Sequence, residues 1–279
     1  MIGVKRVIIL ISVFIVGSCA CGSIPKAGPV GKPVESHSTK PAILSAKSSP
    51  QKAQKLELPA ISQTDVIVSH LGYTASYNQE WLIPNWVAYE LTREELAGNT
   101  KGEESFQWDP DINETQACRE DYSGSGWDKG HLIPRADLKW SAKAYSESFY
   151  FTNICPQNHD FNAGAWLTTE NMARRIARQY GSVYVVCGPL VIDNQYGSIG
   201  EHKVIVPDAF FKAFLICDEG DYSAIGILMN NSSERQMLKT CTMTIDDLEN
   251  KCGFDLFQGL DRKIQDSIEA RIDWSKWGI

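Results

Sequence analysis

The segment that most constrains the fold lies at residues 162–179. Trp166, Met172, Ala173, Ile176 and Ala177 recur at helical spacing, Tyr180 extends the stripe, and Gly181 is a natural stop. A helix with one apolar stripe must bury it against another element. The next residues offer a partner, because Val183-Tyr184-Val185-Val186 reads as a plain buried strand. Further strands are expected at 65–68, 79–91, 149–153, 204–206, 210–216 and 224–229. A short helix is expected at 141–145, and helices at 244–253 and 260–272, with residues 96–108 as polar loop. Strands are interspersed with helices without a repeating βαβ unit, and no internal repeat is visible. The pattern predicts an α+β fold.

The chain opens differently. Lys5 and Arg6 precede an apolar run at 7–16, closed by Gly17-Ser18-Cys19. The run is too short for a transmembrane span, which needs about 20 apolar residues. It reads as a signal peptide with a lipobox over 1–21, with Cys19 as the lipid acceptor and Cys21 as the alternative; ordinary cleavage is the competing reading. Residues 22–57 carry five prolines, at 25, 29, 33, 41 and 50, and no aromatic residue. Such a stretch buries too little apolar surface to offset its ordering entropy, so a disordered tether is expected, followed by one domain over 58–279. On this reading the protein is exported to a bacterial cell envelope, as a periplasmic protein or membrane-anchored lipoprotein, or is secreted. The membrane is touched only through the N-terminal lipid.

The chemistry concentrates around Asp128-Lys129-Gly130-His131. His131 is one of five histidines, approached through Gly124 and Gly126 and followed by Pro134, Arg135 and Asp137. An ordinary imidazole is unprotonated near neutral pH and can serve as a general base for water, although a loop-capping histidine would look the same in isolation. About thirty residues on, Asn162 offers a neutral oxygen acceptable to Mg²⁺, and it also sits where the helix is expected to begin, as an N-cap would. Glu170 and Arg174 lie four apart on one helix face, as a surface ion pair or as part of a site.

The ordered set Asp128, Lys129, Gly130, His131, Asn162, Gly164, Trp166, Glu170 and Arg174 resembles the signature of the DNA/RNA non-specific endonuclease family, the ββα-metal nucleases. The resemblance implies a mixed, largely antiparallel central sheet with flanking helices and a ββα-metal motif. It implies His131 as general base, Asn162 as the one protein ligand of Mg²⁺ (Mn²⁺ as a substitute), and Glu170 bonded to the ion's hydration shell. Arg174 would steady the charge on the phosphate, and Lys129 would supply positive charge where the family has arginine. Asp128 is expected to anchor the loop. The activity implied is Mg²⁺-dependent endonucleolytic hydrolysis of DNA and RNA, leaving 5′-phosphate ends, through contacts mainly to phosphate. The alternative is a catalytically inactive envelope module of the same fold that binds nucleic acid or a partner.

Two features stand against an uncomplicated match. Family members carry a phosphate-contacting arginine upstream, where this chain has Glu104; Arg93 is the nearest basic candidate. The net charge of −7 repels nucleic acid at long range, so binding must depend on a local basic cleft and fall with salt. Six further cysteines, at 118, 155, 187, 217, 241 and 252, allow up to three disulfides in an exported domain, Cys241–Cys252 being the best single pair. Cys155 with His159 also raises zinc binding or a thiol nucleophile as weaker readings.

Overall fold

Strands β1 (Val66–Ser69), β2 (Thr74–Asn78) and β3 (Ile83–Thr92) form an antiparallel meander at one edge of the main sheet. The structure is a computed structural model that describes residues 55–279. The expected signal peptide and all but the end of the expected tether lie outside the described residues. After β3 the chain leaves the sheet through α1 (Arg119–Tyr122), β4 (Asp128–His131), α2 (Ala142–Glu147) and β5 (Ile154–Gln157). One long helix follows, built from α3 (His159–Phe161), a π-helical turn at Asn162–Trp166 and α4 (Leu167–Tyr180). Strand β6 (Ser182–Leu190) then returns beside β3. A small pair, β7 (Ser198–Ile199) and β8 (Val204–Ile205), precedes the hairpin of β9 (Ala209–Asp218) and β10 (Asp221–Asn230). Short β11 (Thr242–Met243) and helices α5 (Ile245–Cys252), α6 (Arg262–Ile268) and α7 (Trp274–Trp277) complete the chain.

The main sheet has the order β1-β2-β3-β6-β9-β10-β11, with every neighbouring pair antiparallel. This is the expected α+β class. Alternation along β9 gives the sheet two buried faces. Phe210, Phe214 and Ile216 join the core that includes Met172, Ala173, Ile176 and Ala177 of α4. Phe211, Ala213 and Leu215 join a second core with Ile245 and Leu248 of α5 and Ile268 of α6. The α4 stripe read from the sequence is therefore the stripe that packs on the sheet. Ile176 is fully buried there, and truncating such a side chain to alanine costs about 2–5 kcal/mol.

Three local expectations are corrected. The strand predicted from residue 79 begins at Ile83: Asn78 Oδ1 accepts from the amides of Glu80 and Trp81, and Leu82 takes φ 56°, so a turn occupies 79–82. The strand predicted at 149–153 is instead a 3₁₀ turn at Phe151–Asn153 leading into β5. Asn153 is the cause, because its side chain bonds the N–H and C=O of Ile133 and the C=O of Ser148 and replaces ladder bonds. Finally, the long helix begins at His159. Asn158 is its N-cap, accepting from Asp160 and Phe161, while Asn162 has helical φ −58° and ψ −51°. The N-cap reading of Asn162 is thereby removed.

Candidate active site

The tetrapeptide 128–131 is itself a strand. β4 pairs with β5 in the register Asp128↔Gln157 to His131↔Ile154, and the long helix follows two residues after β5. This ββα unit converges its side chains. Gly130 is required by close approach, since a Cβ there would fall on the Gln157 side chain. His131, Arg135, Asn162, Glu170 and Arg174, with Pro134, Ala136 and Leu167, line one open cleft of about 230 Å³.

His131 stands at the end of β4 with its ring against Phe106 and Phe149, at centroid distances of 5.6 Å and 5.2 Å. The indole N–H of Trp166 donates to the His131 carbonyl at 3.0 Å, tying the strand end to the helix. Nε2 is sealed from solvent without a partner, which leaves Nδ1 as the ring nitrogen open to the cleft. Burial, helped by the nearby Arg135 charge, pulls the imidazole down to about 4, so it is neutral and able to accept a proton at pH 7.

Asp128 has a more specific placement than loop anchoring. Its Oδ2 accepts from Asn162 Nδ2 at 3.0 Å and pairs with His159 Nδ1 at 2.9 Å. With the Asn162 NH₂ group held, its carbonyl oxygen is the atom presented to the cleft. The π-helical turn contributes as well: it carries one residue more than an α turn would need, and such turns reposition side chains at functional sites. Glu170 is buried, with Oε2 bonded to Arg174 at 3.3 Å, which leaves its other oxygen available to a ligand. A neutral amide oxygen beside a carboxylate is a hard-oxygen donor set, and it fits Mg²⁺ or Mn²⁺.

Arg174 is fixed on three sides. Nε donates to Asp137 Oδ1 at 2.5 Å, one terminal nitrogen donates to Asn171 at 3.0 Å, and the other to Glu170. Of its five N–H donors, two remain for a ligand. Asp137 is buried, and burial pushes its carboxyl up to about 6 although Arg174 opposes the shift. Lys129 is not among the cleft-lining residues: its ammonium lies over the rings of Phe106 and Tyr122, 5.5 Å from each centroid. Arg93 is remote in its contacts, donating to the Gln179 carbonyl at the far end of α4. Glu104 instead pairs with exposed Arg135 at 3.0 Å. Arg135 is thus the second cleft cation, one the sequence offered only as part of the histidine's frame. Asp137 was passed over in the same way.

Among the described residues all six cysteines are free thiols, so the expected disulfides, Cys241–Cys252 included, are not formed. Cys155 is fully buried and its thiol is pushed well above the ordinary range, which excludes it as a nucleophile. Among the described residues three clusters elsewhere bring ligand-capable atoms together: Cys118–Asp121–His202, His70–Asp109–Asp111 and Asp246–Glu249–Glu269. None includes a cleft residue.

A sequence profile described as DNA/RNA non-specific endonuclease matches residues 51–263. The mitochondrial nuclease EXOG of Xenopus laevis is 32% identical over 209 residues, which span 69% of this chain and 58% of that protein. Bovine mitochondrial endonuclease G is 32% identical over 197 residues, 66% of this chain and 65% of that one. The chain therefore matches rather less than two thirds of the length of these relatives. A solved structure of the EndoG/EndoGI complex superposes with a TM-score of 0.68 at 28% identity, covering 75% of this chain and 91% of that one. These relatives correct the expected location. Both are by name mitochondrial, so the exported, bacterial-envelope assignment does not stand, and the secretion and lipid anchor at Cys19 expected with it gain no support.

Proposed function

This chain belongs to the DNA/RNA non-specific endonuclease family, and from that premise we propose that it is a metal-dependent phosphodiesterase that cuts DNA and RNA within the strand. One observation carries the reading: an imidazole kept neutral by burial opens on the same cleft as an oriented amide oxygen, a buried carboxylate and a fixed guanidinium. In this reading Asn162 would hold Mg²⁺ (or Mn²⁺) through its side-chain oxygen, and Glu170 would bond to the ion's hydration water. Bound there, the ion would supply electrostatic stabilisation to developing negative charge on the phosphodiester.

The residues of the chain do the rest. His131 Nδ1 takes a proton from water as the water oxygen bonds to phosphorus; the P–O3′ bond breaks in line and the departing oxygen takes a proton from solvent, giving a 5′-phosphate and a 3′-hydroxyl. Arg174 offers its two uncommitted N–H groups to the phosphate oxygens, and its clamp by Asp137 means little reorganisation is needed as charge builds. Arg135 adds a second positive charge at the rim, and Lys129 contributes field from behind the aromatic wall. Contacts of this kind address phosphate and sugar, which accounts for activity on both nucleic acids without sequence choice.

The test is nicking of supercoiled plasmid, and degradation of a structured RNA, by residues 51–279 with Mg²⁺, with Mn²⁺ and with EDTA. Wild type is expected to cut both in metal and neither in EDTA. His131→Ala is expected to lower the rate by about 10²–10⁴-fold. A folded wild type that cuts nothing with any divalent metal would leave a binding module of the same fold.

A further inference from the structure

Alternation along β9 places Lys212 in the row of Phe210, Phe214 and Ile216, the row that faces α4. The side chain is fully buried, and its Nζ has no hydrogen-bond partner. A cation is kept out of water in this way only where fixed charges or π faces replace its hydration, and an apolar side chain would continue the row more easily. Two replacements are present. The ammonium lies 4.0 Å from the centroid of the Trp166 ring. It also acts on the carboxylate of Asp137, whose Oδ2 is buried without a partner.

Both neighbours lead directly to the cleft. The edge of the same Trp166 ring donates to the His131 carbonyl, and Trp166 closes the turn that begins at Asn162. The other oxygen of Asp137 holds Arg174 Nε. We infer that Lys212 is a positioning residue: from beneath the cleft its ammonium braces the indole that fixes the His131 strand end, and it balances the buried carboxylate that orients Arg174.

The charged and titratable groups around Asp137 are Arg174 and Glu170 from α4, Tyr89 from β3 and Lys212 from β9, with Cys187 of β6 also under the Lys212 field. Arg174 and Lys212 are the two cations in that set. Removing the charge of Lys212 therefore leaves Asp137 with a single compensating partner, and its carboxyl must take up a proton at higher pH.

The geometric part of this assignment stands apart from the nuclease reading, while its catalytic consequence rests on it, so the test has two arms. In the first, the Asp137 carboxyl is titrated by ¹³C NMR in wild type and Lys212→Met, without metal or nucleic acid. The midpoint is expected near 6 in wild type and higher in the variant. In the second, plasmid cleavage by Lys212→Met is expected to lose roughly 10- to 100-fold in kcat with KM little changed. The acid limb of its pH profile should move to higher pH, a shift that simple loss of packing would not produce. The loss should also shrink in an Asp137→Asn background, since the two residues act as a unit.

An unmoved Asp137 titration, or equal losses in both backgrounds, would overturn the coupling. Lys212→Gln, similar in length and uncharged, carries the same comparison if the methionine variant does not fold. Failure of both to fold would make Lys212 a folding residue and overturn the assignment. If wild type cuts nothing, the nuclease reading falls alone, and the first arm still decides what Lys212 does to Asp137.

Discussion

Burial against Phe106 and Phe149 gives His131 its working state and also a pH liability. In the unfolded chain a histidine titrates near 6.5, whereas the folded protein holds this one at about 4. Between those values the unfolded state binds a proton that the folded state refuses, so stability present above 6.5 is lost as pH falls toward 4. Denaturant melts at about pH 7 and about pH 4.5 should show wild type losing more stability than His131→Gln; equal losses would count against a buried neutral imidazole. Asn162 makes a second residue-scale claim. Because Asp128 holds its NH₂ group, Asp128→Ala should weaken Mn²⁺ binding by roughly tenfold, and Asn162→Ala by more, as read by titration calorimetry. Unchanged affinity in both would move the metal elsewhere. The convergence of His131, Asn162, Glu170 and Arg174 on one cleft was legible in the sequence because they fall within one continuous stretch, where spacing along a strand and a helix carries geometry. Lys212 was not, because it comes from a distant strand and its neighbours read as uniformly apolar. A lysine inside a run as apolar as Phe210–Ile216 was the available signal, and an alternation test would have set it on the α4 face.

The long helix matters through its irregularity. Asn158 starts it, so a regular α-helix from that cap would present Asn162 and Glu170 at different angles from those observed. The π-helical turn at Asn162–Trp166 supplies the missing rotation. Deleting exposed Ala163 should restore α geometry, keep far-ultraviolet circular dichroism near the wild-type value, and turn Asn162 by about 100° relative to α4. Metal-dependent cleavage is expected to fall by about 100-fold or more; full activity in the deletion would show that the turn has no part in placing the ligand. By contrast Asn158→Ala removes a cap and should lower stability by about 1 kcal/mol, measured by urea unfolding. Apolar periodicity predicted the body of this helix and most strands of the main sheet. It failed at 149–153 and 158–162 for a common reason. There an asparagine side chain bonds the backbone and decides where an element begins, a choice that hydrophobic pattern does not record.

At the scale of the whole molecule, the proposed function asks a chain of net charge −7 to hold a polyanion. The cleft counters this with two arginines at its lining, Arg135 and Arg174. Few phosphates can be neutralised by so small a set, so the slope of log KM against log salt for duplex DNA should be shallow, about 2 in magnitude. A slope several times steeper, measured between about 50 and 200 mM salt, would point to a basic surface beyond the cleft. The sheet carries a further consequence. Its two faces belong to two cores: one contains the buried lysine, the carboxylates and the tryptophan under the cleft, while the other is lined by Trp86, Phe211, Leu215, Leu248, Leu256 and Phe257. None of the residues of this second core is among those that line the cleft. Substitutions there act on stability through packing, about 2–5 kcal/mol for a truncation and less for a volume-conserving swap, so the far side of the sheet is where thermal tolerance can be altered with the cleft residues themselves unchanged.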